Sequence, residues 1–436
     1  MHAYFPQAAA ATLTLLATAL AAPAHAATVP VTNCNDHGAG SLRNAAAVAL
    51  DNDVIDMRGL SCARILLTSG PVVFAQPTIT LQGPGPARLA IDGGGHSSVL
   101  RNHQAGKGSG GLLRIRDLTV RNGRLEDPVQ AEGGCVYGYN LELEHVSVHH
   151  CVVRGPRYVS GGGVAATRDL RLIRSEVYAN RAVSTLTDGF AGVGGAIANT
   201  MLLDHSRLCD NVSQQPSDGL SSAGGGFANT VSASYSTVSH NIGGGLDMAR
   251  GIVERSTFSD NTKFGLHIGH LGVGVFNSTF SSNKGPGLLA EGGFLVQNTI
   301  AFNTSSRSGS VCQGGLHLAN GGLQLEGNLV AHNTCDGLPL DFSTYGATQL
   351  YIPSEGNLIM YSVAPVPEGT ISADPHLLPL ANNGGPTLTH ALPAGSPAID
   401  TSVYDQHAGD YDQRGIGFRR IVGGGADIGA FERQQL

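Results

Sequence analysis

Apolar and polar positions recur in a short repeating unit along the central part of the chain. Eight copies of a unit of roughly 19 residues run between Gly133 and Asn333. Each copy ends with an apolar residue, two further residues and a last residue that we call the closing position. The closing positions are Cys151, Asn180, Asn211, Asn241, Asn261, Asn283, Asn303 and Asn333. A unit this short cannot bury its own apolar face, so the copies must stack on one another.

Two further columns precede the closing position. Three residues earlier stand Val148, Val177, Leu208, Val238, Phe258, Phe280, Ile300 and Val330, and five residues earlier stand Val146, Ser175, Ser206, Ser236, Ser256, Ser278, Asn298 and Asn328. Side chains two residues apart on a strand share one face, so both columns are predicted to point into a solenoid. The closing Asn is predicted at a turn, with left-handed backbone and an amide that bonds the next coil. Gly-Gly at the head of most copies predicts another turn.

This pattern resembles the right-handed parallel β-helix of the pectin lyase-like superfamily. The resemblance implies an all-β solenoid of roughly a dozen coils between residues 60 and 360, about 4.8 Å apart. A β-propeller is the competing repeat architecture, but its blades need about 40 residues. Ser41 to Leu50 predicts a short helix with Ser41 as its N-cap, which would cover the open end of the solenoid.

The last seventy or so residues lack the repeat and are rich in turns. The stretch from Asp374 to Ser402, DQRG (Asp412 to Gly415) and ADIGAFE (Ala426 to Glu432) resemble the choice-of-anchor Q domain of bacterial surface β-helix proteins. In that family an anchoring tail usually follows GAFE, whereas only Arg433 to Leu436 follow it here. We therefore expect secretion or periplasmic residence. The expected organisation is a signal peptide (1–26), an N-terminal cap (27–60), the β-helix (61–360) and an irregular C-terminal cap domain (361–436).

The N-terminus and the cysteines both indicate a secreted or periplasmic bacterial protein. The first 26 residues contain no Lys, Arg, Asp or Glu, and Ala24-His25-Ala26 fits a signal-peptidase site. No later segment has transmembrane length. The cysteine spacing suggests three local disulfides, with Cys209 left over: Cys34–Cys62, Cys135–Cys151 and Cys312–Cys335.

Net charge and sequence motifs indicate which kinds of partner and cofactor to expect. The formal net charge is −7, without a basic stripe, so nucleic-acid binding is not expected. No CxxC is present, and no cofactor is expected. A weak candidate for Ca²⁺ is a group of four acids that could equally be solvated turn residues: Asp400, Asp405, Asp410 and Asp412.

No intact catalytic motif of the superfamily is present. Polygalacturonase-type sites resemble a Gly-His-Gly and an Arg-Ile-Lys, but Leu271 follows Gly269-His270 and Arg116 follows Arg114-Ile115. We therefore expect a non-catalytic extracytoplasmic protein with a structural or polysaccharide-binding role. The alternative is a carbohydrate-active enzyme, a polysaccharide lyase or a glycoside hydrolase.

The inserts between copies all follow the closing position and are shortest around two of the chain's three lysines, Lys263 and Lys284. These lysines, with Arg255, His267 and His270 in the same coils, are candidates for binding an anionic polysaccharide or supporting β-elimination. Ordinary solvated lysines are the alternative.

A second candidate surface consists of three tyrosines, Tyr137, Tyr139 and Tyr158, with Arg154 and Arg157 nearby. Aromatic rings of this kind can stack on sugars. Because Tyr137 and Tyr139 alternate on a predicted strand next to a disulfide, packing is the alternative explanation.

Overall fold

The computed structural model of the chain describes residues 26–102, 110–127, 129–186, 190–215, 223–269, 272–307, 311–319, 322–345, 349–350, 355–403 and 409–434. Residues 1–25, which hold nearly all of the expected signal peptide, lie outside this part.

Short strands occupy most of the described chain up to residue 359. The first coils contain β1 (Thr28–Pro30), β2 (Val54–Asp56), β3 (Arg64–Leu66), β4 (Val72–Phe74), β5 (Thr78–Gln82), β6 (Ala90–Asp92) and β7 (Leu100–Asn102). The next coils contain β8 (Leu112–Arg121), β9 (Arg124–Glu126), β10 (Gln130–Glu132), β11 (Val136–His149), β12 (Val152–Gly155), β13 (Tyr158–Ser160), β14 (Val164–Ile173), β15 (Glu176–Tyr178), β16 (Arg181–Ser184), β17 (Phe190–Ala191), β18 (Ala196–Asp204), β19 (Arg207–Cys209) and β20 (Val212–Gln214). The remaining coils contain β21 (Ala223–Ser234), β22 (Thr237–Ser239), β23 (Gly244–Glu254), β24 (Thr257–Ser259), β25 (Leu266–Ile268), β26 (Val273–Phe276), β27 (Thr279–Ser281), β28 (Leu288–Ala290), β29 (Gly293–Val296), β30 (Thr299–Ala301), β31 (Thr304–Ser305), β32 (Leu316–Ala319), β33 (Gly322–Glu326), β34 (Leu329–Ala331), β35 (Thr334–Cys335), β36 (Leu338–Pro339), β37 (Phe342–Tyr345), β38 (Gln349–Leu350) and β39 (Leu358–Ile359).

The strands stack in parallel into three faces, which we number in the order in which each coil visits them. In the coil that starts at Gly161, face 1 is residues 164–166, face 2 is residues 169–173 and face 3 is β15. Face 3 continues in register from coil to coil, and its strands are β3, β6, the ends of β8 and β11, β15, β19, β22, β24, β27, β30, β34 and β39. This confirms the predicted all-β parallel β-helix of about a dozen coils; right-handed winding is the rule for such parallel connections.

The predicted apolar column fills the interior. From Val148 to Val330 each of its eight residues is fully buried. The rings of Phe258 and Phe280 stack with their centres 5.0 Å apart, so neighbouring coils share one continuous core.

The Ser and Asn columns form two buried hydrogen-bond ladders. At the corner between faces 2 and 3, the serine corner, Ser175 Oγ accepts the backbone N–H of Val146 at 3.0 Å, and each following coil repeats the contact. At the corner between faces 3 and 1, the asparagine corner, Asn211 Oδ1 accepts the backbone N–H of Asn180 at 3.1 Å and its Nδ2 at 3.0 Å. The predicted amide bonds between coils are therefore present, and they pair polar groups that would be costly to bury alone.

Two details of the asparagine corner differ from the prediction. The left-handed backbone belongs to the residue before each closing position and not to the Asn itself: His150, Ala179, Asp210, His240, Asp260, Ser282, Phe302 and His332. The Gly-Gly pair is needed for close approach, since a Cβ on Gly245 would lie 2.9 Å from Nδ2 of Asn261 and 2.3 Å from the carbonyl oxygen of Gly265. The inward-turned amide of the Asn occupies the space that any side chain at the glycine position would need.

The longer inserts build an arm beside the asparagine corner. Strands β9, β12, β16 and β20 form one parallel sheet, and β10, β13 and β17 form another. Between them lies a small apolar core of Ala131, Val153, Val159 and Ala182. The inserts therefore stack with the same periodicity as the coils beneath them.

The N-terminal cap has the predicted helix, α1 (Leu42–Val48). The Ser41 hydroxyl accepts the backbone N–H of Asn44 at 3.2 Å, as an N-cap does, and Leu42, Ala45 and Ala46 are buried.

The three predicted disulfides, Cys34–Cys62, Cys135–Cys151 and Cys312–Cys335, are present. Cys209 is free and buried, and burial raises the pKa of its thiol to about 11. Within the described ranges, no helix has the length and apolar character that crossing a bilayer requires.

The C-terminal segment, residues 374–403 and 409–434, folds back along face 3 over the later coils. Gln413 Nε2 donates to Thr257 Oγ1 at 2.9 Å, and Thr279 Oγ1 donates to Gln413 Oε1 at 2.6 Å. The backbone N–H of Ala430 donates to Thr299 Oγ1 at 2.9 Å. The segment therefore covers the side of the rod from β24 onward.

Candidate functional site

Face 3 carries an open groove along the coils that the C-terminal segment leaves uncovered. Two columns of outward-pointing side chains form its floor: Arg64, Ala90, Thr119, Ser147 and Glu176 in one, and Asp92, Arg121, His149 and Tyr178 in the other. The groove has a volume of about 690 Å³. Because it contains three arginines, Arg64, Arg121 and Arg174, we call it the arginine groove.

The groove is locally positive in a chain that is negative overall. Two carboxylates belong to the described floor: Glu176, which is 3.3 Å from Arg207, and the buried Asp92. Arg121 lies 2.9 Å from the buried Asp92 and Arg174 lies 2.6 Å from Glu144. Arg64 is exposed and has no ion-pair partner within the described part of the chain. A guanidinium fork matches a carboxylate in geometry and charge, so the groove suits an anionic ligand.

Two rings lie side by side on the floor. The imidazole of His149 stacks on the ring of Tyr178 with a centroid distance of 4.8 Å, and its Nδ1 is 2.7 Å from Nδ1 of His150. Burial, the adjacent His150 and the Arg121 guanidinium lower the pKa of His149 to about 4. At neutral pH His149 is therefore uncharged, and the positive charge of the groove comes from its arginines.

The predicted lysine surface is only partly assembled. Lys263 and Lys284 lie at the asparagine corner in neighbouring coils, where the backbone N–H of Lys284 donates to Asn261 O at 2.8 Å. Lys284 is exposed and Lys263 is half-buried. These lysines border faces 3 and 1, and the short inserts around them are present as expected.

The other candidates of that group lie elsewhere. Arg255 is at the serine corner, where its guanidinium is 3.0 Å from Glu254, 3.5 Å from the carbonyl oxygen of Tyr411 and 5.7 Å from the ring centre of Tyr235. His267 is on face 1, with its Nδ1 3.0 Å from Asp247 Oδ1. His270 lies outside the described residues. The structure therefore separates Arg255 from the two lysines.

The three tyrosines do not form one open platform. Tyr137 points outward on face 1, but the Arg101 guanidinium lies 4.5 Å from its ring centre. Tyr158 is a half-buried residue of the arm, and Tyr139 lies at the corner between faces 1 and 2. Arg154 and Arg157 are exposed on the arm. Burial raises the pKa of both Tyr137 and Tyr158, which is typical of packed tyrosines.

The candidate calcium ligands are engaged in separate contacts. Asp412 is fully buried and pairs with Arg414 at 2.6 Å, whereas Asp400 accepts the backbone N–H groups of Gly424 and Gly425 at 3.0 Å. Asp405 lies outside the described residues. In the described part of the chain, the side chains that could group around a metal are Cys312, Cys335 and Asp336, and the disulfide already joins the two sulfurs. The predicted aspartate cluster is therefore not formed by the acids that are described.

The C-terminal motifs instead form a buried polar network. The Arg414 guanidinium lies between the rings of Phe418 and Phe431, 4.0 and 3.9 Å from their centres. Arg420 is fully buried, donates to Gly429 O at 2.9 Å and bonds Asn277 Oδ1 of the β-helix. These contacts tie the segment to the rod.

Sequence reasoning missed the arginine groove because its residues follow no motif. They are outward-pointing positions on successive coils, 26 to 29 residues apart in the chain, and become neighbours only through the register of the strands. The repeat signature describes the inward positions. The strand alternation beside it was the signal that could have located them.

No profile of a protein family matches the chain, and no curated protein sequence is significantly similar to it. Among solved structures, the crystal structure of pectate lyase Pel9A is similar over 93% of this chain and 96% of that chain, with 14% sequence identity and a TM-score of 0.42. A likeness this distant assigns no role to any residue.

Proposed function

We propose that this chain is an extracytoplasmic β-helix protein that binds an acidic polysaccharide in the arginine groove. The observation that carries the proposal is the arrangement of Arg64, Arg121 and Arg174 around an elongated floor on which Glu176 is the accessible carboxylate and Asp92 is buried. Carboxylates of a uronate chain would meet these guanidinium groups, and the floor rings offer apolar contact to sugar rings. This groove replaces the lysine surface as the first place to look.

The expected compartment is part of the same proposal. Three disulfides persist most readily in an oxidising environment, which supports secretion or periplasmic residence and a cleaved signal peptide at residues 1–26. The buried network of Asp412, Arg414 and Arg420 gives the C-terminal motifs a structural role. We propose, on their sequence resemblance, that these motifs form a choice-of-anchor Q-like domain.

Calorimetry with size-defined oligogalacturonates, and with neutral oligosaccharides of the same length, tests the proposal. The acidic oligomers should bind, and affinity should fall with added salt because surface charges are screened. Arg64→Ala with Arg174→Ala should weaken binding at least tenfold, since a hydrogen bond to a charged group contributes about 1.5–3 kcal/mol.

Arg168→Ala is the matched control. Arg168 is an exposed arginine 3.6 Å from Asp169 and does not line the groove, so its removal should change affinity less than twofold. Equal affinities in the double variant and in this control would refute the groove as the binding site. Failure of acidic oligomers from several uronates to bind would refute the proposed function.

A polysaccharide lyase is the second candidate, because the neutral His149 and the Arg121 guanidinium provide a base beside a positive charge. β-Elimination needs both: proton removal next to a uronate carboxylate and neutralisation of that carboxylate. Absorbance of unsaturated uronate ends measures it. Product that His149→Gln abolishes would favour the enzyme, whereas product lost in Lys263→Ala or Lys284→Ala would move the site to the asparagine corner.

A further inference from the structure

The arginine groove and the seat of the C-terminal segment are two parts of one surface. The outward column that starts at Arg64 continues through Glu176, Arg207 and Thr237 to Thr257 in strict register. In the groove this column and its neighbour include Arg, His, Glu and Tyr, but from Thr237 onward the same positions are small: Thr237, Ser239, Thr257, Ser259, Thr279, Ser281, Thr299 and Ala301. The small side chains let the C-terminal segment lie against the strands.

The segment forms a wall where the two parts meet. The Tyr235 side chain lies against Gly415, close enough that a Cβ there would be 2.9 Å from the tyrosine hydroxyl. On its other side, the Tyr235 ring stacks on His205 with centres 4.8 Å apart. A polymer following the groove past Arg207 therefore meets residues of the C-terminal segment.

The wall is firmly held. His390 Nε2 is 2.9 Å from Ser281 Oγ, and Thr257 Oγ1 donates to Leu388 O at 2.7 Å. Together with the buried Arg420 and the bond from Ala430 to Thr299, these contacts fix the segment to three successive coils, those of β24, β27 and β30. Removing one partner of such buried polar contacts is costly.

At its other end the groove runs out to Arg64, whose exposed side chain is on the first strand of face 3. From Arg64 to the coil of Thr237 there are six coil steps, or roughly 29 Å at about 4.8 Å per step. A 1→4-linked sugar ring is about as long as one step. The groove, together with the stretch of face 3 between Glu176 and the wall, thus has room for roughly five or six sugar residues along the rod.

Resting on the proposed function, we infer that the arginine groove takes the end of a uronate chain, with one terminus facing the wall at Tyr235 and Gly415 and the chain leaving past Arg64. Interior stretches of a long polymer do not fit, because the wall blocks one direction. The groove therefore distinguishes chain ends and short oligosaccharides from the middle of a polysaccharide.

Calorimetry with oligogalacturonates of two to ten residues tests the inference. Each oligomer is measured untagged, with a bulky aromatic tag at the reducing end, and with the same tag at the non-reducing end. Affinity should rise with length up to about five or six residues and then stay within twofold. A tag at one terminus should weaken binding at least tenfold, and the same tag at the other terminus should change it less than twofold.

Equal effects of the two tags, or affinity that keeps rising to ten residues, would overturn the inference while leaving the proposed binding intact. Absence of binding at every length, for oligomers of galacturonate and of the other uronates, would overturn the proposed function itself. Fragmenting a fixed mass of polygalacturonate offers an independent measurement. The number of protein molecules bound should grow with the number of chain ends, whereas binding along the interior of the polymer would leave that number constant.

Discussion

Replacing one rung of the asparagine ladder should cost far more stability than replacing an exposed asparagine. Asn261 Oδ1 accepts the backbone N–H of Asn241 at 3.1 Å and its Nδ2 at 2.9 Å. Asn261 Nδ2 donates to Val238 O at 3.1 Å and to Asn283 Oδ1 at 2.9 Å. Asn261→Ala removes all four bonds and leaves the Asn241 N–H, fully buried, without this acceptor. At about 1 kcal/mol for each lost bond, the free energy of unfolding should fall by about 4 kcal/mol.

Urea unfolding followed by far-UV circular dichroism measures this loss, with the midpoint compared at equal slope. The matched control is Asn229→Ala. Asn229 is exposed, and its Nδ2 donates to Asn199 Oδ1 at 2.9 Å on the outer surface, so its loss should cost about 0.5 kcal/mol or less. If the two variants unfolded at the same midpoint, the ladder would not stabilise the coils in the way argued.

Three further predictions concern the same rod. Asp341 takes the place of an amide at the end of the ladder, and burial raises the pKa of its carboxyl to about 6. The folded protein holds this proton more tightly than the unfolded chain, so the free energy of unfolding should fall by up to about 3 kcal/mol as pH rises from about 4 to about 6. Unfolding midpoints measured across this pH range should show a flatter dependence for Asp341→Asn. Gly245→Ala should cost about 3 kcal/mol in the same urea assay because its Cβ overlaps the ladder amide of its coil, whereas Gly269→Ala, with open space, should cost under about 1 kcal/mol. Replacing Cys135 and Cys151 together by Ala should lower the free energy of unfolding by about 3 kcal/mol, as expected for a cross-link spanning 16 residues. A reducing agent should lower the thermal midpoint of the parent protein by more than that of the variant, which retains only the other two disulfides.

Inward positions could be predicted from the sequence because the same physical demand recurs in every coil. Val177 and Ser206 each fill a site whose neighbours in the preceding and following coils are of the same kind, so the periodicity carries the information. The backbone of the asparagine corner was misplaced by one residue. To aim its amide at the next coil, Asn180 keeps ordinary backbone angles while Ala179 takes the left-handed turn, with a φ of 53°.

Outward positions could not be predicted in the same way. Arg64, Arg121 and Arg174 become one site only because inserts of different length leave the strand register unchanged. The path of the C-terminal segment depends on contacts more than 100 residues apart in the chain, such as Gln413 with Thr257. Periodicity does not encode such pairings, so the separation of the lysines from Arg255 and the position of the groove required the structure.

The uniform chemistry of the asparagine ladder makes the rod divisible at its coils. Every rung offers the same acceptor and the same donors to its neighbour, so the rung at Asn180 could bond the amide of Asn241 as it bonds that of Asn211. Removing or duplicating a whole coil between Glu176 and Thr237 would preserve the ladder and move the wall by one step. The length of the groove is thus set by how many coils precede the C-terminal segment, and it can be changed by deleting or duplicating a coil.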